Sequence, residues 1–351
     1  SDYTPPLRDM KFVLDTTCDI DEIIGYPSFA HVEKDLAFGA LDEAARFFSE
    51  VVAPTNRDGD VIGSVRNDDG SVSAPESFKK AYEQYVAAGW GAVKSPMEYG
   101  GHGFPGSVGL AILEMLTSAN MAFSLCPMLT SSAILALEAH GSDEQKATYL
   151  EKLISGEWTG TMVLSEPEAG SDVGALRAKA EPNEDGSWSI TGSKIFITWG
   201  EHDMADNIVH LVLARTPGAP PGTKGISLFI VPKFIPTDGG APGERNSLHC
   251  VSIEHKLGIN GSPTCVLAFE EATGWIVGEE NAGMRYMFTM MNDARIHVGL
   301  EGMGLAERSY QQALEFANTR RQGRAVGAAK TDSSLIVEHP DVRRMLLTQK
   351  A

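Results

Sequence analysis

From Leu41 to Val52 the apolar residues Leu41, Ala44, Ala45, Phe48, Val51 and Val52 recur at helical spacing, and Pro54 stops the run. The pattern predicts an amphipathic helix, and Phe78, Ala81, Tyr82, Tyr85 and Val86 repeat it. Between Val108 and Ala139 apolar residues are so dense that the helices there are expected to be buried on most sides. Ser142, with Gln145 three residues on, reads as a capping box opening a helix that closes near Gly156.

After Gly156 the period shortens. Thr161–Ser165, Trp188–Ile190, Lys194–Thr198, Ile208–Arg215, Ile226–Val231, His249–Glu254 and Thr264–Phe269 are short β-rich runs separated by Gly, Pro, Asn and Asp. They predict an all-β domain, sandwich or barrel, with Thr216–Thr223 and Asp238–Gly243 as surface loops. From about Gly283 the helical period returns and carries through Ala317, and Pro340 suits the first turn of a further helix. That helix reaches Ala351 without glycine, proline or a completed turn pattern, so the chain is expected to continue. The expected fold is mainly α with a β domain. Its parts are an N-terminal extension (1–38), an N-terminal helical domain (39–158), a middle β domain (159–278) and the beginning of a C-terminal helical domain (279–351).

Composition narrows the partners. At 351 residues the chain exceeds the ~250 that one core usually serves. A net charge of −18 repels phosphate backbones and anionic lipid, and no basic patch offsets it, so no nucleic-acid partner is expected. No run of ~20 uninterrupted apolar residues predicts a membrane span. Cys18, Cys126, Cys250 and Cys265 are scattered, without CxxC or paired histidines, which predicts neither zinc nor disulfides and suits thiols in a reducing cytoplasm. No secretory signal precedes Tyr3.

Three strings could carry chemistry. Leu164-Ser165-Glu166-Pro167-Glu168-Ala169-Gly170-Ser171-Asp172 leaves a strand through small residues, which lets main-chain N–H groups and a hydroxyl approach a flat or phosphorylated ligand. It also reads as an ordinary strand-ending turn. Lys194-Ile195-Phe196-Ile197-Thr198 alternates so that Phe196 and Thr198 share one face and Ile195 and Ile197 the other. An aromatic beside a hydroxyl suits a polar-edged ring, or simple core packing. Asn292 and Arg295 are helix neighbours among methionines and glycines. The arginine either pairs with Asp293 or Glu301 or grips the polar part of a long ligand.

Taken in order, Ser142-Asp143-Glu144-Gln145, Ser155-Gly156-Glu157-Trp158, Ser165 to Asp172, Lys194 to Thr198 and Phe316–Arg324 resemble the acyl-CoA dehydrogenase family from about Leu41 onward. The segment Tyr3 to Leu14 and Gly200-Glu201-His202-Asp203 are similar to a longer branch of that family, with an extra C-terminal helical domain, acting on fatty acyl-CoAs or 3-methylmercaptopropionyl-CoA. The resemblance implies α,β-dehydrogenation with FAD. Met162, Leu164, Ser165, Gly170 and Ser171 would line the flavin, and Phe196, Ile197 and Thr198 would cover it. Ser171, Asn292 and Arg295 would meet the CoA substrate, and Arg320 would reach the FAD of a neighbouring subunit in a dimer or tetramer. An electron-transfer flavoprotein or equivalent would accept the electrons, and no metal is implied.

The sequence departs from the family's pattern at three places: Phe196 stands where many relatives have tryptophan, Arg320-Arg321-Gln322-Gly323-Arg324 lacks the phenylalanine of RxxFG, and Pro340 replaces a glutamine after His339. One branch places a catalytic glutamate immediately before the arginine matched by Arg295, but Ala294 stands there, and Asp293 is turned a further ~100° around the helix. The resemblance therefore implies a glutamate base downstream of Ala351. An acyl-CoA oxidase or a flavoprotein without dehydrogenase activity would use the same scaffold.

Overall fold

The computed structural model describes residues 3–327 and 333–351. The elements run α1 (Leu7–Thr16), α2 (Ile20–Ile24), α3 (Lys34–Phe47), α4 (Thr55–Val61), β1 (Val65–Arg66), β2 (Val72–Ser73), α5 (Glu76–Ala87), α6 (Gly106–Ala119), α7 (Met121–His140) and α8 (Asp143–Ser155). The β region follows: β3 (Trp158–Val163), β4 (Lys179–Pro182), β5 (Trp188–Thr198), β6 (Asn207–Ala214), β7 (Ser227–Pro232), β8 (Phe234–Pro236), β9 (Pro242–Arg245), β10 (Leu248–Ile253) and β11 (Thr264–Ile276). Two helices close the chain, α9 (Gly283–Thr319) and α10 (Pro340–Lys350).

The first amphipathic helix starts earlier than its apolar spacing indicates, at Lys34, and passes into a π-turn over Phe48–Val52 before Pro54. The extension ahead of it is structured. Tyr3 is buried, Thr4 and Gln311 exchange reciprocal hydrogen bonds of 2.9 and 2.7 Å, and Lys350 reaches both Asp9 and Glu307 at 3.2 Å. These contacts tie the extension to α9 and α10.

Asn120 divides the apolar stretch into α6 and α7, its side chain accepting from the Phe123 N–H at 3.1 Å. By length and composition α7 could cross a membrane; here it is the core helix of the bundle, buried along most of its length. The capping box at Ser142–Gln145 forms in both directions, and Gly156 takes the left-handed conformation that ends α8.

Seven strands make the main sheet, in the order β3-β6-β7-β11-β5-β4, with β10 also on β11. Only β3–β6 is parallel among these pairings. The two separate runs expected over Trp188–Ile190 and Lys194–Thr198 are one strand, because Gly192 lies within it rather than breaking it. At φ 155° it lets the strand pass Ala178, where a Cβ would come within 2.8 Å of the alanine methyl. β11 likewise runs past Phe269 to Ile276, and the expected Asp238–Gly243 loop is the tip of the β8–β9 hairpin. One core joins the helical layer to the inner face of the sheet, and a second fills the β region around Ile197, Phe229, Cys250 and Cys265.

Candidate functional site

The turn after β3 and the end of β5 are bound to each other. The Ile195 N–H donates to the Ser165 carbonyl at 2.9 Å, and Glu166 and Ala169 exchange main-chain hydrogen bonds of 3.0 Å, pinching the turn around Pro167 and Glu168. Lys194, fully buried, extends its ammonium to the Glu166 carboxylate and the Leu164 carbonyl, both at 2.9 Å. Glu166 also accepts the N–H groups of Arg177 (2.6 Å) and Ala178 (3.0 Å). Burial pushes the Lys194 amine down to about 8, opposed by the attraction of Glu166. The pair ties the turn to β5 and to the Arg177–Ala178 segment, and both groups are buried.

That placement follows from a β-bulge the residue types do not announce. Lys194 pairs with Leu267 and Ile197 with Cys265, so Ile195 and Phe196 together oppose Val266. The extra residue brings Lys194 and Ile197 onto the same, interior face, correcting the strict alternation expected from the sequence. Phe196 and Thr198 remain on the outer side, and the Phe196 ring is 60% exposed. Ile197 is buried against the second core, so its side chain points away from that surface and only its main chain borders it. Phe196 (φ 59°) and Trp199 (φ 53°) are both left-handed non-glycine residues. Such conformations cost on the order of 1–3 kcal/mol each and persist only where the surroundings enforce them.

Around this surface Met162, Leu164 and Ser165 are half-buried, while Gly170 and Ser171 are exposed on the turn. A Cβ on Gly170 would meet nothing within 4 Å, so its peptide is open to a ligand. An exposed aromatic ring, a neighbouring hydroxyl and an unobstructed glycine–serine peptide fit a flat heteroaromatic cofactor with polar edges.

On α9, Arg295 donates to the Asn292 carboxamide at 3.1 Å and lies over the Phe288 ring, 5.3 Å from its centroid. Both Asn292 and Arg295 are exposed, and the arginine pairs with neither Asp293 nor Glu301. Asp293 turns inward, accepting from Ser132 at 2.7 Å and from Lys94 at 3.2 Å, with the His297 ring 3.5 Å away. Burial, helped by Lys94, drives His297 down to about 4, so it is neutral near pH 7. A cavity of about 60 Å³ lies inside the helical layer, lined by Trp90, Leu116, Met128 and His297.

Arg320 stands apart. It is the extended residue that caps the C-terminus of α9 just past Thr319, exposed and bonded to Gln322 at 3.0 Å. From Arg295 to Thr319, the last residue of α9, the axis rises about 36 Å at ~1.5 Å per residue. The structure therefore joins the turn to β5 and Asn292 to Arg295, and leaves Arg320 at the far end of the helix.

Sequence reasoning missed the residues that hold the surface. Lys194 and Glu166 were part of the motifs, but their pairing depends on the bulge. Glu201, Lys233 and Arg245 lie far apart in sequence and meet only through the sheet. Among the described residues no group of three or more His, Cys, Asp or Glu is placed to hold a metal.

Comparisons with known proteins match the chain's three successive parts to one family. Residues 40–157 match the acyl-CoA dehydrogenase N-terminal domain, 161–272 the middle domain and 281–349 the C-terminal domain. The chain is 50% identical over 349 residues to 3-methylmercaptopropionyl-CoA dehydrogenase of Ruegeria pomeroyi, covering 99% of this chain and 59% of that protein. It is 39% identical over 367 residues to a butyryl-CoA dehydrogenase of Syntrophomonas wolfei, covering all of this chain and 59% of the relative. This chain thus spans about three-fifths of the length of either. The three-dimensional structure of butyryl-CoA dehydrogenase from Megasphaera elsdenii matches with a TM-score of 0.73 at 24% identity, over 91% of this chain and 76% of that one. With three consecutive domains matched and the turn, bulged strand and long helix in place, the chain belongs to the acyl-CoA dehydrogenase family.

Proposed function

We propose that the protein carries out FAD-dependent α,β-dehydrogenation of an acyl-CoA thioester, giving the trans-2-enoyl-CoA. The observation that carries this reading is the exposed Phe196 ring with Thr198 on the outer face of β5, beside the open Gly170–Ser171 peptide. Bound FAD would supply the acceptor for the β-hydride. Phe196 would cover its ring system, the main chain of Ile197 and Thr198 would border it, and Met162, Leu164, Ser165, Gly170 and Ser171 would line the turn side.

Ser171, Asn292 and Arg295 would hold the CoA-bearing substrate, the arginine as a fixed cation already aligned by Asn292. Orienting the thioester and excluding water make its weakly acidic α-proton removable. Ala294 has no group to take that proton, and Asp293 is committed to Ser132 and Lys94. We assign the base to a glutamate downstream of Ala351. Arg320, beyond the end of α9 and about 36 Å of helix from Arg295 at ~1.5 Å per residue, would act on the FAD of a neighbouring subunit, in a dimer or tetramer.

The relative from Ruegeria pomeroyi, by its name, acts on 3-methylmercaptopropionyl-CoA, and that thioester or a fatty acyl-CoA is the substrate we propose. An electron-transfer flavoprotein would reoxidise the cofactor, in the cytoplasm. The test is anaerobic addition of 3-methylmercaptopropionyl-CoA and acyl-CoAs of graded length to the full-length parent protein. Bleaching of the flavin's visible absorbance is expected and would rank the substrates. Bound flavin that no acyl-CoA bleaches would refute the dehydrogenase reading.

A further inference from the structure

We propose that Trp199 and the Glu201–Lys233–Arg245 cluster are positioning residues, which fix the left-handed backbone on either side of Ile197–Thr198 and so set the surface offered to the flavin. The proposal rests on the FAD-binding reading of that surface. The segment Trp199-Gly200-Glu201-His202-Asp203 makes no part of the surface itself, yet each ionisable or hydrogen-bonding side chain in it is tied to a different element.

The Trp199 N–H donates to the Pro263 carbonyl at 2.8 Å, and its indole N–H donates to the Ala122 carbonyl on α7 at 3.2 Å. Its ring meets Phe78 of α5 and His202 at centroid distances of 6.4 and 5.4 Å. The Glu201 carboxylate, 1% exposed, binds the Lys233 ammonium on one oxygen and the Arg245 guanidinium at 2.9 Å on the other. Lys233 also donates to the His202 carbonyl at 3.1 Å. His202 accepts the Met204 N–H on Nδ1 at 3.2 Å, which leaves Nε2 as the donor to the Thr159 hydroxyl at 2.9 Å. Asp203 accepts from the Ala74 N–H at 2.9 Å and the Lys79 ammonium at 3.2 Å.

A buried carboxylate with two cations is a costly way to end a strand if packing were the only requirement, since an apolar cluster would serve stability as well. What it adds is direction. The cluster fixes the chain immediately after Trp199 from the β8–β9 side, while the indole fixes it from the helical layer. The two left-handed residues flanking Ile197–Thr198 have no glycine to relax into, so releasing either anchor lets the strand end return toward ordinary extended geometry and moves the Thr198 hydroxyl and Phe196 ring together.

The test uses the full-length protein with Trp199→Phe, which keeps the ring and removes the indole donor, and Arg245→Ala, which frees one oxygen of Glu201 while leaving Lys233 in place. Flavin dissociation constants and visible spectra of the bound flavin are measured beside the melting temperature of the flavin-free protein. The expected result is an approximately ten-fold weaker flavin affinity and an altered flavin band in both variants, out of proportion to any change in the flavin-free melting temperature. Parent-like affinity and spectrum in both variants would overturn the proposal. So would affinity that falls only in step with the flavin-free melting temperature, which would make the role structural. A parent protein that binds no flavin would instead refute the cofactor reading on which the proposal stands.

Discussion

The two long helices α7 and α9 have opposite relations to the rest of the molecule. Along the 20 residues of α7, 14 are buried, including Phe123, Leu129 and Leu137, and its polar groups are bonded inside the layer, the Thr130 hydroxyl to the Cys126 carbonyl and the Ser132 hydroxyl to Asp293 of α9. Along the 37 residues of α9 only eight are buried, and Ile296, Val298, Met303, Leu305 and Phe316 stand exposed. α7 is packed on most sides, whereas α9 carries Asn292 and Arg295 on surface that no described residue covers. Stability should therefore reside in the first and ligand recognition in the second.

The sharpest way to break that comparison is to truncate equivalent aromatic bulk in each helix. Phe123→Ala, in the sealed layer, is expected to cost about 3–5 kcal/mol by urea denaturation. A loss below about 1 kcal/mol would show that α7 is not the core helix. Lys194→Met should fall in the same range, about 3–5 kcal/mol, because it leaves the Glu166 carboxylate buried without its cation. Restoring stability by adding Glu166→Gln to that variant would show that the unpaired charge, rather than lost packing, is the cause.

The interior also sets an acid limit. Burial and the nearby Lys233 push both His202 and His210 down to about 3, from 6.5 in an unfolded chain. The unfolded state therefore binds more protons below pH 6.5, so the stability that these neutral rings confer is complete above that pH and is lost as pH falls toward 3. At pH 5 each should cost about 2 kcal/mol, read as a falling denaturation midpoint; a flat profile from pH 7 to 5 would contradict their neutral burial. On the open helix the effects are smaller and of another kind. Arg295→Ala should raise KM about ten-fold in the full-length enzyme with little change in unfolding, and an unchanged KM would remove the arginine from the substrate site. Phe316→Ala, least of all, should stay within about 0.5 kcal/mol of the parent in this chain.

How far these differences could be foreseen depended on the range of the interaction. The capping box at Ser142–Gln145, the glycine stop at Gly156 and the proline-opened α10 are contacts within a few residues, and the sequence states them directly. The turn and the aromatic–hydroxyl pair were legible as motifs for the same reason. The burial of Lys194 was not, since alternation places it beside Phe196 on the outer face. Only the two-against-one pairing with Val266, fixed by the partner strand, turns it inward. Gly192 misled in the opposite sense: as a residue type it punctuates, but here it is demanded by the approach of Ala178. Asp293, on a helix next to the motif arginine, faces inward because α9 meets Ser132 and Lys94 there, which no spacing along one helix reveals.

The bulge in β5 also makes that strand sensitive to its own length. Any substitution at Ile195 or Phe196 alters one side chain, but deletion of either would let the two halves of the strand fall into step with β11. Lys194 and Ile197 would then stand two residues apart and both stay on the interior face, with one outward residue between them in place of the bulged pair. The core would keep both of its side chains, and what would be lost is the extra position that lets the chain turn left-handed at Phe196 and present its ring outward.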